Sequence, residues 1–235
     1  KILSLPVNQS IWGLLIVLFI AMVVVSQFML TFGSDPNAKV TKKSKSPLSF
    51  HPIALIFGLL SFVSYLVEGA VGDWSALYLF EDKGIVIEEA VMGVMLFNGT
   101  MCIGRLLGNR LGKHLTSKQV VVGGYLLGSI AMGLIVFLPG HASMYTYLLL
   151  GISLAMIVPN LFSAMGEQNV IPMTQAVATS TMLGYMGILM GPALIGFIAH
   201  GTSLTVAFIV LTTLLVVSAG IGKYAYHLMS KDCGL

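Results

Sequence analysis

The chain has 235 residues, of which 57% are hydrophobic and 9% are charged, whereas an ordinary soluble domain is roughly 25% charged. The net charge of +3 is too small to indicate nucleic acid as a partner. The two cysteines, Cys102 and Cys233, lack the spacing of a disulfide framework or a zinc site. This composition excludes an ordinary water-soluble domain.

Seven apolar stretches are each long enough to cross a bilayer, which takes about 20 residues of helix. In chain order they are 11–30, 53–80, 90–110, 119–138, 143–165, 174–199 and 203–222. The stretches are continuously apolar rather than alternately apolar and polar, which excludes a transmembrane barrel. The sequence therefore predicts an all-α, polytopic helical membrane protein with seven transmembrane helices.

The basic residues predict the orientation, because lysine and arginine gather on the cytoplasmic side of membrane proteins. If residues 31–51 are cytoplasmic, only Lys1 and Lys83 fall on the outer side. The cytoplasmic side then holds ten basic residues, namely Lys39, Lys42, Lys43, Lys45, Arg105, Arg110, Lys113, Lys118, Lys223 and Lys231. We therefore expect an integral plasma-membrane protein whose C-terminal tail, residues 229–235, is cytoplasmic.

The polar stretch 31–51 also divides the chain. Its Lys, Ser, Pro and Asn content is typical of a solvated, flexible connector. The C-terminal portion of a twelve-helix protein would have the same arrangement, with one helix before the linker, in residues 1–30, and six helices after it, in residues 52–228. We therefore expect helices one to five upstream of this chain, with residues 1–30 as the last helix of an N-terminal half. A non-transporting seven-helix receptor or sensor has the same topology and is the alternative.

A glycine recurs every four residues around GTMCIGRLLGNRLGKHLTSKQ, residues 99–119. Such a face lets a neighbouring helix approach closely, and basic residues beside it can bind helix ends or lipid phosphates. The stretch also resembles the G-x-L-x-D-R-x-G-R-K signature of the major facilitator superfamily, in its degenerate second position between helices eight and nine. The motif residues are Gly104, Arg105, Gly108, Asn109, Arg110, Gly112 and Lys113. The sequence departs from the signature at its aspartate, which falls on Gly108, or on Asn109 after a one-residue slip.

Three further segments are similar to helices of the same superfamily. Residues 149–167 resemble the tenth helix, which has a proline near its middle. Residues 68–79 resemble the seventh helix of the fucose-permease-like branch and of related uncharacterised bacterial inner-membrane members. Residues 184–200 resemble the eleventh helix, with the packing residues Gly184, Gly187, Gly191, Pro192 and Gly196. Together these segments extend the resemblance over nearly the whole chain.

The resemblance implies an architecture and a function. Such transporters have two six-helix halves, each made of two inverted three-helix repeats, with the substrate path between the halves. Residues 52–228 would be the C-terminal six-helix domain, in which the spans 53–80 and 143–165 face the substrate. The implied function is secondary active transport of a small solute, sugar-like by preference, by alternating access and with proton coupling, in a bacterial inner membrane.

Five residues are candidates for binding the substrate or a proton. Glu68 is the only acidic residue well inside a predicted span, where its carboxylate needs a cavity, water or a structural partner, and Tyr65 precedes it by one helical turn. Asn160 follows a proline, so it either binds a solute hydroxyl or satisfies the carbonyl that the proline frees. Asp73 and Trp74 lie near the outer interface, where Trp74 stacks on substrate or belongs to an aromatic belt.

No enzyme signature accompanies these residues. The sequence contains no H-E-x-x-H, G-x-S-x-G or P-loop pattern and no paired intramembrane aspartates. We therefore expect no catalytic residues, no metal site and no cofactor. The expected partners are a small-molecule substrate, the lipid bilayer and helices one to five of the same protein.

Overall fold

The computed structural model of the chain describes residues 7–32, 51–111, 115–168 and 170–232, and the regular secondary structure in these ranges is helical throughout. The eight helices are α1 (Val7–Phe32), α2 (Pro52–Glu81), α3 (Ile87–Leu111), α4 (Ser117–Phe137), α5 (Gly140–Ala155), α6 (Ile157–Glu167), α7 (Met173–Gly201) and α8 (Leu204–Asp232). The predicted all-α class is confirmed.

The chain divides into two compact units, residues 1–44 and residues 45–235. The first unit contains α1, which includes the apolar stretch Leu15–Gln27. The second unit contains α2 to α8, which share one hydrophobic core. Residues 33–50, which make up most of the predicted linker, lie outside the described residues.

Six segments of the second unit are long and apolar enough to cross a membrane. They are Pro52–Glu81, Ile87–Gly108, Ser117–Phe137, Gly140–Glu167, Met173–Gly201 and Leu204–Ser230. All six agree with the predicted stretches to within a few residues, except at the end of the last one. There α8 continues to Asp232, well past the predicted end of the span at 222 and into the predicted tail. Hydropathy falls in this region, but residues such as Ala, Leu, Met and Lys still favour a helix.

The span predicted over 143–165 consists of two helices rather than one. α5 ends at Ala155, Met156 has φ −102° and ψ −5°, and α6 begins at Ile157. The break precedes Pro159, which has no N–H to donate to the carbonyl of Ala155 and whose ring would clash with that carbonyl in a regular helix. Pro159 therefore lies in the first turn of α6, where a proline is tolerated.

A row of glycines on α7 lies directly against the backbone of α2. A methyl group on Gly191 would lie 2.5 Å from the carbonyl oxygen of Leu66, and one on Gly187 would collide with the carbonyl of Phe62. Since a side chain of any size would push the helices apart, glycine at these positions permits the contact. We call this contact the glycine seam.

The turn between α2 and α3 is tied to the end of α4 by Lys83. Its ammonium donates to the carbonyl oxygens of Val136 at 2.6 Å and Leu138 at 2.9 Å. The last carbonyls of a helix lack intrahelical donors and carry the negative end of its dipole, so a cation stabilises them. The same ammonium lies 5.3 Å from the centre of the Tyr78 ring, where a cation–π attraction adds to the contact.

Candidate functional site

An ion pair joins α2 and α3 within their membrane-crossing segments. Nη2 of Arg105 lies 3.2 Å from Oε2 of Glu68 and 3.4 Å from its Oε1. The side chain of Glu68 is 23% exposed and that of Arg105 is 45% exposed. Within the described part of the chain, Nε and Nη1 of Arg105 have no acceptor, so they can bind a second group.

The two side chains meet because of the directions in which they leave their helices. Side chains lean toward the N-terminus of the helix that carries them. Glu68 therefore leans away from the α2–α3 turn, whereas Arg105 leans toward it. Arg105 lies farther from the turn along the chain than Glu68 does. The opposite directions of the two side chains shorten the distance between their charged groups along the helix axes, and the length of the arginine side chain spans what remains.

Two stacked tyrosines lie beside the ion pair. Tyr65 is one turn before Glu68, and its ring is parallel to that of Tyr185 on α7, with 6.1 Å between the centroids and 7° between the planes. Gly184 makes room for the Tyr65 ring, since a methyl group there would lie 2.7 Å from Cδ2 of that ring. We call Tyr65, Glu68, Arg105 and Tyr185 the intramembrane cluster.

The intramembrane cluster is partly accessible at the surface of the second unit. Tyr185 is 60% exposed, and both charged side chains are partly exposed. A charge that faces lipid hydrocarbon costs several kcal/mol, so the open side of the cluster is expected to meet water or protein. The cluster offers an acceptor, a cation and aromatic ring surface, which together suit a hydroxyl-rich solute and a proton.

Trp74 and Asp73 lie nearer the C-terminal end of α2. The indole N–H of Trp74 donates to the carbonyl oxygen of Pro192 on α7 at 3.0 Å, and its ring lies against Gly196. Trp74 also lines a cavity of ≈ 390 Å³ with Leu77, Glu81, Asp82, Gly196, Ala199, His200, Ser203 and Leu204. Asp73 is exposed and forms no ion pair within the described residues. The indole N–H of Trp74 therefore joins α2 to α7 and is not free to bind a solute. No hydrogen bond within the described residues links Trp74 to the intramembrane cluster.

Asn160 lies at the break between α5 and α6. Its Nδ2 donates to the carbonyl oxygen of Met156 at 2.8 Å, and its backbone N–H donates to the same oxygen at 3.2 Å. The side chain thus binds a carbonyl at the break, but this is not the carbonyl of Ala155 that Pro159 leaves without its helical donor. None of its hydrogen bonds within the described residues leads to Glu68, so the structure does not join these two predicted site residues directly.

The remaining titratable groups form no metal-binding cluster within the described residues, where no group of three or more His, Cys, Asp and Glu side chains could hold an ion. A further polar contact in these residues brings Nε2 of His141 to 2.7 Å from Oε2 of Glu89. Both side chains are about half exposed, at the starts of α5 and α3. This pair therefore lies at the ends of helices, unlike Glu68 and Arg105.

Comparison with known proteins identifies relatives, although the chain matches no protein-family model. It is 42% identical over 157 residues to an uncharacterised MFS-type transporter of Yersinia pestis, covering 66% of this chain and 40% of the relative. It is 30% identical over 170 residues to the membrane protein MosC of Rhizobium meliloti, covering 71% of this chain and 42% of the relative. The chain belongs to the major facilitator superfamily.

A solved structure of this superfamily shares the fold. The fucose:proton symporter of E. coli matches the chain with a TM-score of 0.63 at 16% identity, over 74% of this chain and 43% of the symporter. At that identity the likeness establishes the fold and not the solute. The chain spans about two fifths of the length of these relatives, whose names describe transporters or a membrane protein rather than enzymes.

The glycines of the major-facilitator motif pack against the helix break. A methyl group on Gly104 would lie 2.6 Å from Cβ of Ala155, and one on Gly108 would collide with the side chain of Met156. The C-terminal part of α3 therefore lies close to the point where α5 gives way to α6. Among the other motif residues, the structure does not describe the side chains of Asn109 and Arg110, and it does not describe Gly112 and Lys113 at all.

Arg105 and Tyr185 are the two members of the intramembrane cluster that the sequence did not indicate as candidates for binding the substrate or a proton. The sequence assigns Arg105 to the major-facilitator motif and to the cytoplasmic charge bias, whereas the structure pairs it with Glu68. A signal for this pair exists, because a basic residue inside one span and an acidic residue inside the preceding span both need partners. Tyr185 has no comparable signal, since tyrosine is common near membrane interfaces.

Proposed function

We propose that the protein is a secondary active transporter that moves a small, sugar-like solute by alternating access and couples this movement to protons. The proposed location is a bacterial inner membrane. The distribution of basic residues supports a cytoplasmic linker at 31–51 and a cytoplasmic C-terminus. Membership of a transporter superfamily supports transport as the general activity.

The ion pair of Glu68 and Arg105 is the observation that carries the proposal. Ionisable side chains within membrane-crossing segments are costly and mark substrate and proton pathways. Glu68 can gain and lose a charge by taking up and releasing a proton, whereas Arg105 stays charged. Protonation of Glu68 weakens the attraction between α2 and α3, and proton release restores it. A group that binds its proton more tightly in one arrangement of the helices couples proton binding to the conformational change.

The break between α5 and α6 supports a conformational cycle. Interrupted helices are frequent at the binding sites of secondary transporters. At Met156 the chain can change the angle between α5 and α6 with little loss of helical hydrogen bonds, because that turn is already irregular. The glycine seam, in contrast, holds α2 and α7 together. We propose that α2 and α7 move as one body while α6 changes its angle to α5.

The tyrosines support a sugar-like solute. The apolar face of a sugar ring packs on aromatic rings, and its hydroxyls need donors and acceptors close by. Tyr65 and Tyr185 supply ring surface and hydroxyl groups, and Glu68 and Arg105 supply charged partners. Within the described residues the amide oxygen of Asn160, on the other span proposed to face the substrate, accepts no hydrogen bond.

The test of the proton role is Glu68→Gln in the full-length protein, reconstituted in liposomes. A screen of radiolabelled neutral sugars and sugar acids supplies the transported probe. We expect proton-driven uptake to be lost while exchange of internal for external probe is retained, because glutamine mimics the protonated carboxyl. Glu88→Gln, at the exposed start of α3, is the matched control and should transport normally.

Unchanged uptake with unchanged pH dependence in Glu68→Gln would refute proton coupling through Glu68. Loss of exchange together with uptake would assign Glu68 to solute binding or to structure instead. Tight binding of a probe by the wild type without any flux would favour the receptor alternative.

A further inference from the structure

Arg105 has binding capacity that Glu68 does not use. A guanidinium carries five N–H donors in a planar fork, and only Nη2 faces the Glu68 carboxylate. The two distances, 3.2 and 3.4 Å, exceed the roughly 2.7–2.9 Å of a strong charge-assisted hydrogen bond. The carboxylate thus holds one corner of the guanidinium loosely, and among the described residues the other donors have no acceptor, so they can bind another group.

The charges of the intramembrane cluster restrict the solute that can accompany a proton. While Glu68 is ionised, its charge and that of Arg105 cancel. A proton on Glu68 leaves one uncompensated positive charge on Arg105, and an unpaired charge within a membrane span is unfavourable until another group compensates it. Tyr65 and Tyr185, which complete the cluster, supply hydroxyl groups rather than a negative charge. A neutral solute therefore leaves the loaded site charged.

We infer that the solute is a small monoanion of the sugar-acid class, a hydroxylated carboxylate that replaces Glu68 on Arg105 when Glu68 takes up a proton. This inference rests on the proposed proton-coupled transport and narrows its sugar-like solute to an acidic one. In the empty site the charges of Glu68 and Arg105 cancel. In the loaded site the charges of Arg105 and the solute cancel. Both forms can then pass through the conformational change with no net charge.

The geometry of Arg105 suits a mobile carboxylate better than it suits Glu68. A free carboxylate can accept two parallel N–H bonds from the fork, which is a stronger arrangement than contact with a single nitrogen. Glu68 is fixed to α2 and reaches only Nη2. The stacked rings of Tyr65 and Tyr185 lie close by and offer a surface for the carbon skeleton of the solute.

Thermal stabilisation of the purified full-length protein by matched probes tests the inference. The neutral probes are glucose and galactose, and the acidic probes are gluconate, glucuronate, galactonate and galacturonate. We expect at least one acid to raise the unfolding temperature under conditions where its neutral counterpart does not. Glu68→Gln should bind that acid about tenfold more tightly, because Arg105 no longer has an internal competitor.

Arg105→Gln should abolish binding of the acid. A second variant shows whether such a loss of binding results from misfolding. The double variant Glu68→Gln/Arg105→Gln removes both charges and so leaves no unpaired charge in the span. It should fold and yet not bind the acid. Arg105→Lys keeps the charge without the fork and should bind the acid more weakly than the wild type.

Three outcomes overturn the inference: equal stabilisation by a neutral sugar and its acid, no stabilisation by any of the four acids, or acid binding that survives in the double variant. Uptake into liposomes separates this failure from failure of the proposed function. Proton-driven entry of a neutral sugar supports proton-coupled transport and refutes the anionic solute. Binding of an acid through Arg105 without proton-driven uptake supports the anionic ligand and refutes the proton coupling.

Discussion

The indole N–H of Trp74 on α2 donates a 3.0 Å hydrogen bond to the carbonyl oxygen of Pro192 on α7. Pro192 has no N–H of its own, so the carbonyl of Ile188 one turn earlier loses its helical donor. Gly69 lies against that carbonyl, and a methyl group there would be 2.8 Å from the oxygen. α2 therefore contacts the irregular turn of α7 at two points.

We expect Trp74→Phe to destabilise the protein by about 0.5–1.5 kcal/mol, because phenylalanine keeps most of the ring contact and loses the hydrogen bond. The measurement is the midpoint of thermal unfolding in detergent, followed by circular dichroism. Trp12→Phe is the matched control, since Trp12 is the only other tryptophan and is 61% exposed on α1. Equal effects of the two substitutions would contradict a stabilising role for the Trp74 bond.

The glycine seam predicts different effects on the free energy of unfolding for two glycine-to-alanine substitutions. Alanine at Gly191 would place Cβ 2.5 Å from the carbonyl oxygen of Leu66, so the backbones must separate, at a cost of about 1–3 kcal/mol. Alanine at Gly220 on α8 meets nothing within 4 Å and should be neutral or slightly stabilising, because alanine favours a helix more than glycine does. Thermal unfolding of both variants checks this, and normal stability of Gly191→Ala would contradict the seam.

Lys83→Met should destabilise the protein by about 1 kcal/mol, a modest value because the ammonium is only partly buried. The substitution keeps the apolar stem and removes the donor to the two carbonyls at the end of α4. Lys118→Met, at an exposed lysine in the first turn of α4, is the control and should have little effect. If both variants unfold at the wild-type temperature, the Lys83 contact contributes nothing measurable.

The same lysine predicts a pH dependence. Burial lowers the pKa of the Lys83 ammonium below its ordinary value of 10.5, and the Asp82 carboxylate acts in the opposite direction. Between the folded-state pKa and 10.5 the unfolded chain binds more protons than the folded one, so stability rises with pH in that window. The stability of the wild type relative to Lys83→Met should therefore increase as the pH approaches 10.5. A difference that stays constant or shrinks with pH would contradict the lowered pKa.

The predicted orientation is tested by cysteine labelling in intact cells, after Cys102 and Cys233 are replaced by serine. A cysteine introduced at Ser44, in the linker that lies outside the described residues, should react with an impermeant reagent only after permeabilisation. Glu88→Cys, at the exposed start of α3 on the predicted outer side, should react in intact cells. The reverse pattern would refute the cytoplasmic placement of the linker.

The helices of the second unit follow closely from the sequence, because each must satisfy its own backbone and present about 20 apolar residues to the bilayer. The predicted stretch 53–80 corresponds to Pro52–Glu81, and 174–199 corresponds to Met173–Gly201. The break at Met156 is the main local departure. A proline in the sequence signals a disturbance, but the position of the break depends on how the chain packs around it.

The partners of the site residues could be predicted only in part. The position of Glu68 inside an apolar span shows that its carboxylate needs a partner. The sequence does not give the relative rotation of α2 and α3 that brings Arg105 to it. Asn160 shows the same limit, because two hydrogen-bonding roles fit its position in the sequence. The contact with Met156 depends on the local geometry of the break. Pairing between helices is a property of packing, which hydropathy along the chain does not encode.

The glycine seam also sets the order in which the protein can assemble during synthesis. Arg105 leaves the ribosome soon after Glu68, whereas Gly191 follows Leu66 by about 125 residues, or about 6–25 s at about 5–20 residues per second. The α2–α3 hairpin can therefore neutralise its carboxylate early, while the face of α2 that receives α7 waits for four intervening helices. Any chain that stops before α7 keeps this face uncovered in the membrane, where quality-control proteases can recognise an incomplete product.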